Sequence, residues 1–207
     1  ADPGYGKSPD QFWQASSIGQ VASLLGIPAT PELLMVAAAD HCLAAAYAGQ
    51  CPGVDATALA EYRIEQLCSA SRASNRGEAR TPDEVRASIE RAKAAIQVAP
   101  IADFGVLVIA TEPAFWPRIQ VADLRGPQIP DLPEAAMVLG VAYLAGGVSL
   151  REGDAPKIVV GGCGEGTIPG VLPVEAFLAA AREGSLFGTP VRNAYGDPVR
   201  GFAGVYI

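Results

Sequence analysis

Thr81-Pro82-Asp83-Glu84 fixes a helix start more tightly than any other stretch of the chain. A threonine hydroxyl accepts one of the orphan backbone N–H groups of the first turn. The Glu three residues on reaches back to the cap's own N–H. Proline at the first helical position loses nothing, because its missing donor had no partner there. Ser8-Pro9-Asp10-Gln11 repeats the pattern with Gln. Thr30-Pro31 supplies cap and proline without the returning acid, Asp131-Leu132-Pro133-Glu134 is a looser version, and Asp55 can cap a helix at Ala56.

These starts predict helices from about Pro9 to Leu25, Pro31 to Ala48, Ala56 to Ala70 and Pro82 to Val98. Gly26, Gly49 and Pro100 supply stops. The last helix has a helical-period stripe of Val85, Ile89, Ala92 and Ile96, with Arg86, Glu90 and Lys93 off it. The stripe of the third is Ala60, Ile64, Leu67 and Cys68, which points Cys68 at a core or a partner cysteine. The second is apolar almost all round and is expected to be central.

After Pro100 the pattern changes. Phe104 to Ala110 is a continuous apolar run rich in β-branched residues and is expected as a buried strand, and Lys157 to Val160 leads straight into glycines and is expected as a second strand. Ala135 to Ala145 fits either helix or strand. Val174 to Arg182 is expected as a short helix closed by Gly184, with Pro169 and Gly170 ruling out a helix directly after the second strand. Residues Glu112 to Pro133 hold five prolines and read as a surface excursion. The tail from Pro190 to Ile207 suggests a β-hairpin, with Asn193 to Pro198 as its loop. The expected class is α+β: a helical region over 1–99 packed on a mixed α/β region with a small sheet over 100–207, sharing one core.

Half of the residues are apolar, only 18% are charged, and the net charge is −7. Such a chain is not of the disordered class. Its acidity argues against nucleic acid and anionic membrane surfaces as partners. No stretch approaches about 18 uninterrupted apolar residues, so no membrane span is expected. A low charged fraction points instead to apolar surface covered by another copy of this chain, another protein or a small molecule.

The cysteines are Cys42, Cys51, Cys68 and Cys163. An even number with no C-x-x-C spacing favours one or two disulfides, with the pairing open, and a secreted or periplasmic setting; buried thiols in a cytoplasmic protein are the alternative. The opening Ala1-Asp2-Pro3 fits a mature end after signal cleavage or an expression remnant. Gly6-Lys7-Ser8 resembles the end of a phosphate loop, but no strand precedes it, so Ser8 is assigned to capping.

Gly161-Gly162-Cys163-Gly164-Glu165-Gly166 directly follows the expected Lys157 strand. Glycines let backbone amides approach a ligand, which makes Gly162, Cys163 and Gly164 candidate ligand-binding residues. A nucleophilic Cys163 would need a base, and Glu165 or His41 are the weak candidates. The spacing matches neither the dinucleotide fingerprint nor the nucleophile elbow. A turn or disulfide cysteine is the blander reading. Asp40-His41-Cys42 point about 100° apart on a helix and cannot converge on one metal, so no metal site is expected. His41 as a general base or haem ligand is weighed against a core histidine held by a backbone carbonyl. Glu61 and Glu65 read as a solvated pair. Trp116, beside Pro117, and Tyr195 are each either a binding surface or a hydrophobic plug. The sequence names no cofactor.

The function expected from these residues is non-catalytic binding or assembly, as a homo-oligomer or a subunit of a larger complex. A small apolar ligand could sit between the helical half and the sheet. The alternative is a cysteine-dependent enzyme built on Cys163.

Overall fold

A computed structural model describes residues 8–73, 79–100, 121–126, 128–146, 156–161, 168–197 and 202–207, with backbone alone over 168–173. The class is α+β, a helical N-terminal half followed by a mixed sheet with helices.

The predicted first helix is three pieces. A 3-10 turn, Pro9–Gln11, leads into α1 (Phe12–Ala15) and α2 (Ser17–Leu24). Ser8 makes no side-chain capping bond. The break falls at Ser16, whose buried hydroxyl donates to the Trp13 carbonyl at 3.0 Å and accepts from the Gly19 amide at 3.1 Å. A serine bonding its neighbours' backbone in this way competes with a continuous helix. Gly19 has to be glycine, since a Cβ there would lie 1.8 Å from the Trp13 carbonyl oxygen.

The predicted second helix is also two, α3 (Pro31–His41) and α4 (Leu43–Tyr47). Cys42 leaves the helical region at φ −145° and ψ 46°, so the polar island of Asp40, His41 and Cys42 is a helix break. Only Ala37 and Ala38 of α3 are fully buried, so α3 is less central than its composition suggests. Thr30 does cap it, accepting from Leu33 N–H.

α5 (Ala56–Ala73) and α6 (Pro82–Val98) follow. Asp55 Oδ1 accepts from the Ala58 amide at 2.7 Å. The box at Thr81 is complete: Glu84 N–H donates to Thr81 Oγ1, and Thr81 N–H donates to Glu84 Oε2. Val85, Ile89, Ala92 and Ile96 are all buried, as their spacing requires. Arg86, on the wet face, reaches Glu61 of α5.

The main sheet has the order β1-β2-β3-β7-β6, from β1 (Val121–Arg125), β2 (Ala142–Gly146), β3 (Lys157–Gly161), β6 (Asn193–Asp197) and β7 (Phe202–Tyr206). β1 and β2 are parallel, joined through α7 (Leu132–Leu139); the other pairings are antiparallel. A small hairpin of β4 (Ser185–Leu186) and β5 (Thr189–Pro190) lies beside it. The Lys157 strand is therefore β3. The segment read as ambiguous is helix and then strand, divided by Gly140, whose φ of 62° ends α7. β1 lies inside the stretch read as a surface excursion. Its sequence, VADLR, carries two charges that a strand with a neighbour on one side tolerates. The strand expected at Phe104 to Ala110 lies outside the described residues.

The C-terminal hairpin is present, but Asn193–Asp197 is its first strand and not its loop. α8 (Ile168–Arg182) begins six residues before Val174. Pro169 sits in its first turn, where a missing N–H has no partner to lose, so it does not block the helix.

Both faces of the sheet are covered. Leu144, Ile158, Val160 and Val205 face Val174, Phe177 and Ala181 of α8. Tyr143 and Val159 face the other way, toward Ile89 and Ile96 of α6, Ala135 and Ala136 of α7, and Ile64 and Cys68 of α5. A third cluster joins Phe12, Ala37, Ala38, Ala46 and Leu59 among the N-terminal helices. Phe177 is completely buried. Phe177→Ala is expected to cost about 3–5 kcal/mol, whereas Thr81→Ala costs about 1 kcal/mol; urea unfolding of the two variants against the parent measures both.

Candidate functional site

The most densely connected polar group lies between the N-terminal helices and α7. Glu134, in the first turn of α7, is 4% exposed. Tyr47, the last residue of α4, donates its hydroxyl to Glu134 Oε1. Arg63 of α5 donates from Nη2 to Glu134 Oε2 at 2.6 Å and from Nε to both carboxylate oxygens at 3.2 Å. Its Nη1 donates to Gln66 Oε1, and Gln66 Nε2 donates to the Tyr62 hydroxyl, each at 2.6 Å. Three helices thus meet on one carboxylate.

The electrostatics follow from burial. Desolvation pushes the Tyr47 hydroxyl far above its ordinary value, and the neighbouring carboxylate pushes it the same way, so Tyr47 stays a neutral donor. Burial opposes the charge on Arg63, but the hydrogen bond and charge of Glu134 outweigh it. The arrangement is a satisfied ion pair, with every group pinned by another. Groups so paired hold elements in place.

A second pair sits at the same end of α7. Asp131, in the left-handed region at φ 55°, makes no capping bond. Its carboxylate accepts from Arg80 instead, at 3.0 Å from Nη1. Burial works against that carboxylate, yet hydrogen bonds from Arg80 and Ser88 hold it below its ordinary value. The Asp131-Leu132-Pro133-Glu134 signature thus marks a real helix start, but both acids turn to arginines from elsewhere in the chain.

Of the residues named from sequence, His41 and Tyr195 lie among the described residues. His41 is half-buried in the last turn of α3. Tyr195 is in β6 and not in a loop. It pairs with Gly204 of β7, and its ring lies so close that a Cβ there would meet the hydroxyl at 2.5 Å. Its ring centroid is 5.8 Å from that of Tyr206. Trp116, Gly162, Cys163, Gly164 and Glu165 lie outside the described residues. That stretch does join β3 to α8, so a helix follows the glycines after all.

Cys42, Cys51 and Cys68 are buried, and no disulfide joins them. Cys68 takes the core position its stripe implied. Among the described residues no group of three or more His, Cys, Asp or Glu could hold a metal, and no helix is long and apolar enough to cross a membrane.

The sequence reading missed an apolar cluster at the end of α2. Leu24 is 87% exposed and Leu25 68%, with Val21 and Ile27 also exposed beside them. Gln14, Gln20, Ser23 and Leu24 line an open depression of about 420 Å³. The signal was present as V-x-x-L-L-x-I, but a helix read as running on to Gly26 gives no reason to separate those residues from the core.

Comparison with protein families, curated proteins and solved structures finds no match in any of the three.

Removing Glu134 leaves a half-buried guanidinium without its charge partner and the Tyr47 hydroxyl without its acceptor, so Glu134→Ala is expected to cost about 3 kcal/mol. Tyr47→Phe, which removes one hydrogen bond to a charged acceptor, costs about 1.5–3 kcal/mol. Chemical denaturation and a double-mutant cycle read the coupling. Asp131 has a lowered folded-state value, so its contribution is complete above its ordinary value of 3.8 and is lost as the pH falls below it. The thermal midpoint drops on acidification through that window, and drops less in Asp131→Asn.

Proposed function

We propose that this chain is a non-catalytic binding and assembly protein that associates through the apolar end of α2, with a second copy of itself as the first partner to test. The exposed cluster of Val21, Leu24, Leu25 and Ile27 carries the reading. Fully burying a side chain of this type is worth about 1.5–3 kcal/mol. Four of them within seven residues form a patch of the kind that marks interaction sites. The neighbouring glutamines and serine supply a polar rim, as interfaces have around an apolar centre. The low charged fraction of the chain and the satisfied state of its buried ion pair support the same reading. A subunit of a larger complex would use the same surface, and a small apolar ligand could share it.

Native mass spectrometry and light scattering over roughly 1–100 µM, the range where modest interfaces dissociate, test it. The parent forms a defined oligomer, and Leu24→Glu with Leu25→Glu weakens it by at least about 100-fold. The thermal midpoint hardly changes, because both positions are already in water. A parent that stays monomeric at the highest concentration and carries no adduct overturns the reading and turns attention to Cys163 as a nucleophile.

A further inference from the structure

Cys42 and Cys51 are the one place in the described core where two chemically reactive side chains face each other with nothing between. Their sulfurs are 3.0 Å apart. Carbon atoms already settle at about 3.5–4.0 Å from one another, and sulfur is larger. A bonded pair would lie at about 2.05 Å. The two thiols are therefore inside ordinary contact and about 1 Å short of a bond. Both residues are buried, at 4% and 3% exposure, so an oxidant reaches them only when the chain around α4 opens locally.

Their position in the fold gives the contact a consequence. Cys42 stands at the break between α3 and α4, and Cys51 stands in the turn that follows α4. The pair brackets α4, and α4 ends on Tyr47, whose hydroxyl holds Glu134 of α7.

We propose that Cys42 and Cys51 form a redox-responsive pair whose oxidation to a disulfide clamps α4 and so fixes the seat of Tyr47 on Glu134. A dithiol needs an oxidant to become a disulfide, and the class named here is a small-molecule disulfide such as oxidised glutathione. The Cys51 thiolate attacks one glutathione sulfur, breaks that S–S bond and releases one glutathione thiolate. The Cys42 thiolate then attacks the Cys51 sulfur of the mixed disulfide and releases the second glutathione. Two electrons pass from the protein to glutathione, and the two thiol protons go to the released thiolates. Cys51 attacks first because the hydrogen bond with Cys42 lowers its value, against the opposing effect of burial.

The experiment uses the full chain, equilibrated with reduced and oxidised glutathione and then alkylated. Intact mass and peptide mapping follow. Oxidation is expected to lower the unlabelled mass by about 2 Da, to leave the protein short of two alkyl labels after alkylation under denaturing conditions, and to link the Cys42 and Cys51 peptides. It raises the thermal midpoint by roughly 5–10 °C, as closing a short loop in a chain of this size does. A variant with Cys68→Ala and Cys163→Ala keeps the mass change and the midpoint shift, and Cys51→Ser loses both. If Cys51→Ser does not fold, the Cys68→Ala and Cys163→Ala variant decides alone. Retention of all thiols under oxidising conditions, a stable glutathione adduct, or a link from either residue to Cys68 or Cys163 overturns the proposal.

Discussion

A carboxylate removed from water has to be answered by donors, and Glu134 is answered from two other helices. Leaving one such ion unpaired costs several kcal/mol. The placement of α4 and α5 against α7 is therefore constrained more tightly than apolar packing alone would constrain it. Tyr47 and Arg63 both belong to the N-terminal helices, and Glu134 opens the helix that joins β1 to β2. Arg80 and Asp131 repeat the device at the same end of α7. Hydrophobic contacts are nondirectional, so these two pairs select one arrangement from among those the apolar surfaces allow.

The sheet takes advantage of that arrangement. α6 and α7 cover one face and α8 the other, so β2 and β3 are buried from both sides. That is why Lys157–Gly161 reads as a continuous apolar run, whereas β1, at one edge, carries Asp123 and Arg125. Asp123 and Arg125 pair with each other across two residues of the strand, which lowers the Asp123 carboxyl below its ordinary value. The charges that hid β1 in the sequence are thus accommodated on the strand itself. Of the apolar side chains that this packing leaves exposed, Val21, Leu24, Leu25 and Ile27 fall together in sequence at the end of α2.

The two helix breaks show where reading along the chain stops being enough. Ser16 and Cys42 each sit inside a stretch whose composition favours one long helix. Ser16 leaves because its hydroxyl bonds the backbone on both sides, a choice visible in residue type but not decided by it. Cys42 leaves and comes to lie against Cys51, nine residues on. The apolar patch was overlooked because residue type alone does not say which apolar side chains of α2 find a neighbour: Ala22 is buried, whereas Leu24 and Leu25 are in solvent. Tyr195 was read as a loop residue because Gly196 and Asp197 follow it, yet Gly204 across the hairpin makes room for its ring and keeps the strand.

What the sequence determined by itself was local. The Thr81 box, the Thr30 and Asp55 caps, the buried stripe of α6 and the helix-rich first half all depend on hydrogen bonds and periodicities spanning about four residues. Those are complete within the stretch that encodes them. Tertiary structure decided the rest: that both acids at the start of α7 would pair with arginines and neither would cap it, how α1 to α4 divide, that β1 is a strand, and that two thiols meet. Arg63 and Glu134 are 71 residues apart in the chain and 2.6 Å apart in space. A charge does not carry the address of its partner; only the fold brings the two together, and burial then makes the meeting matter.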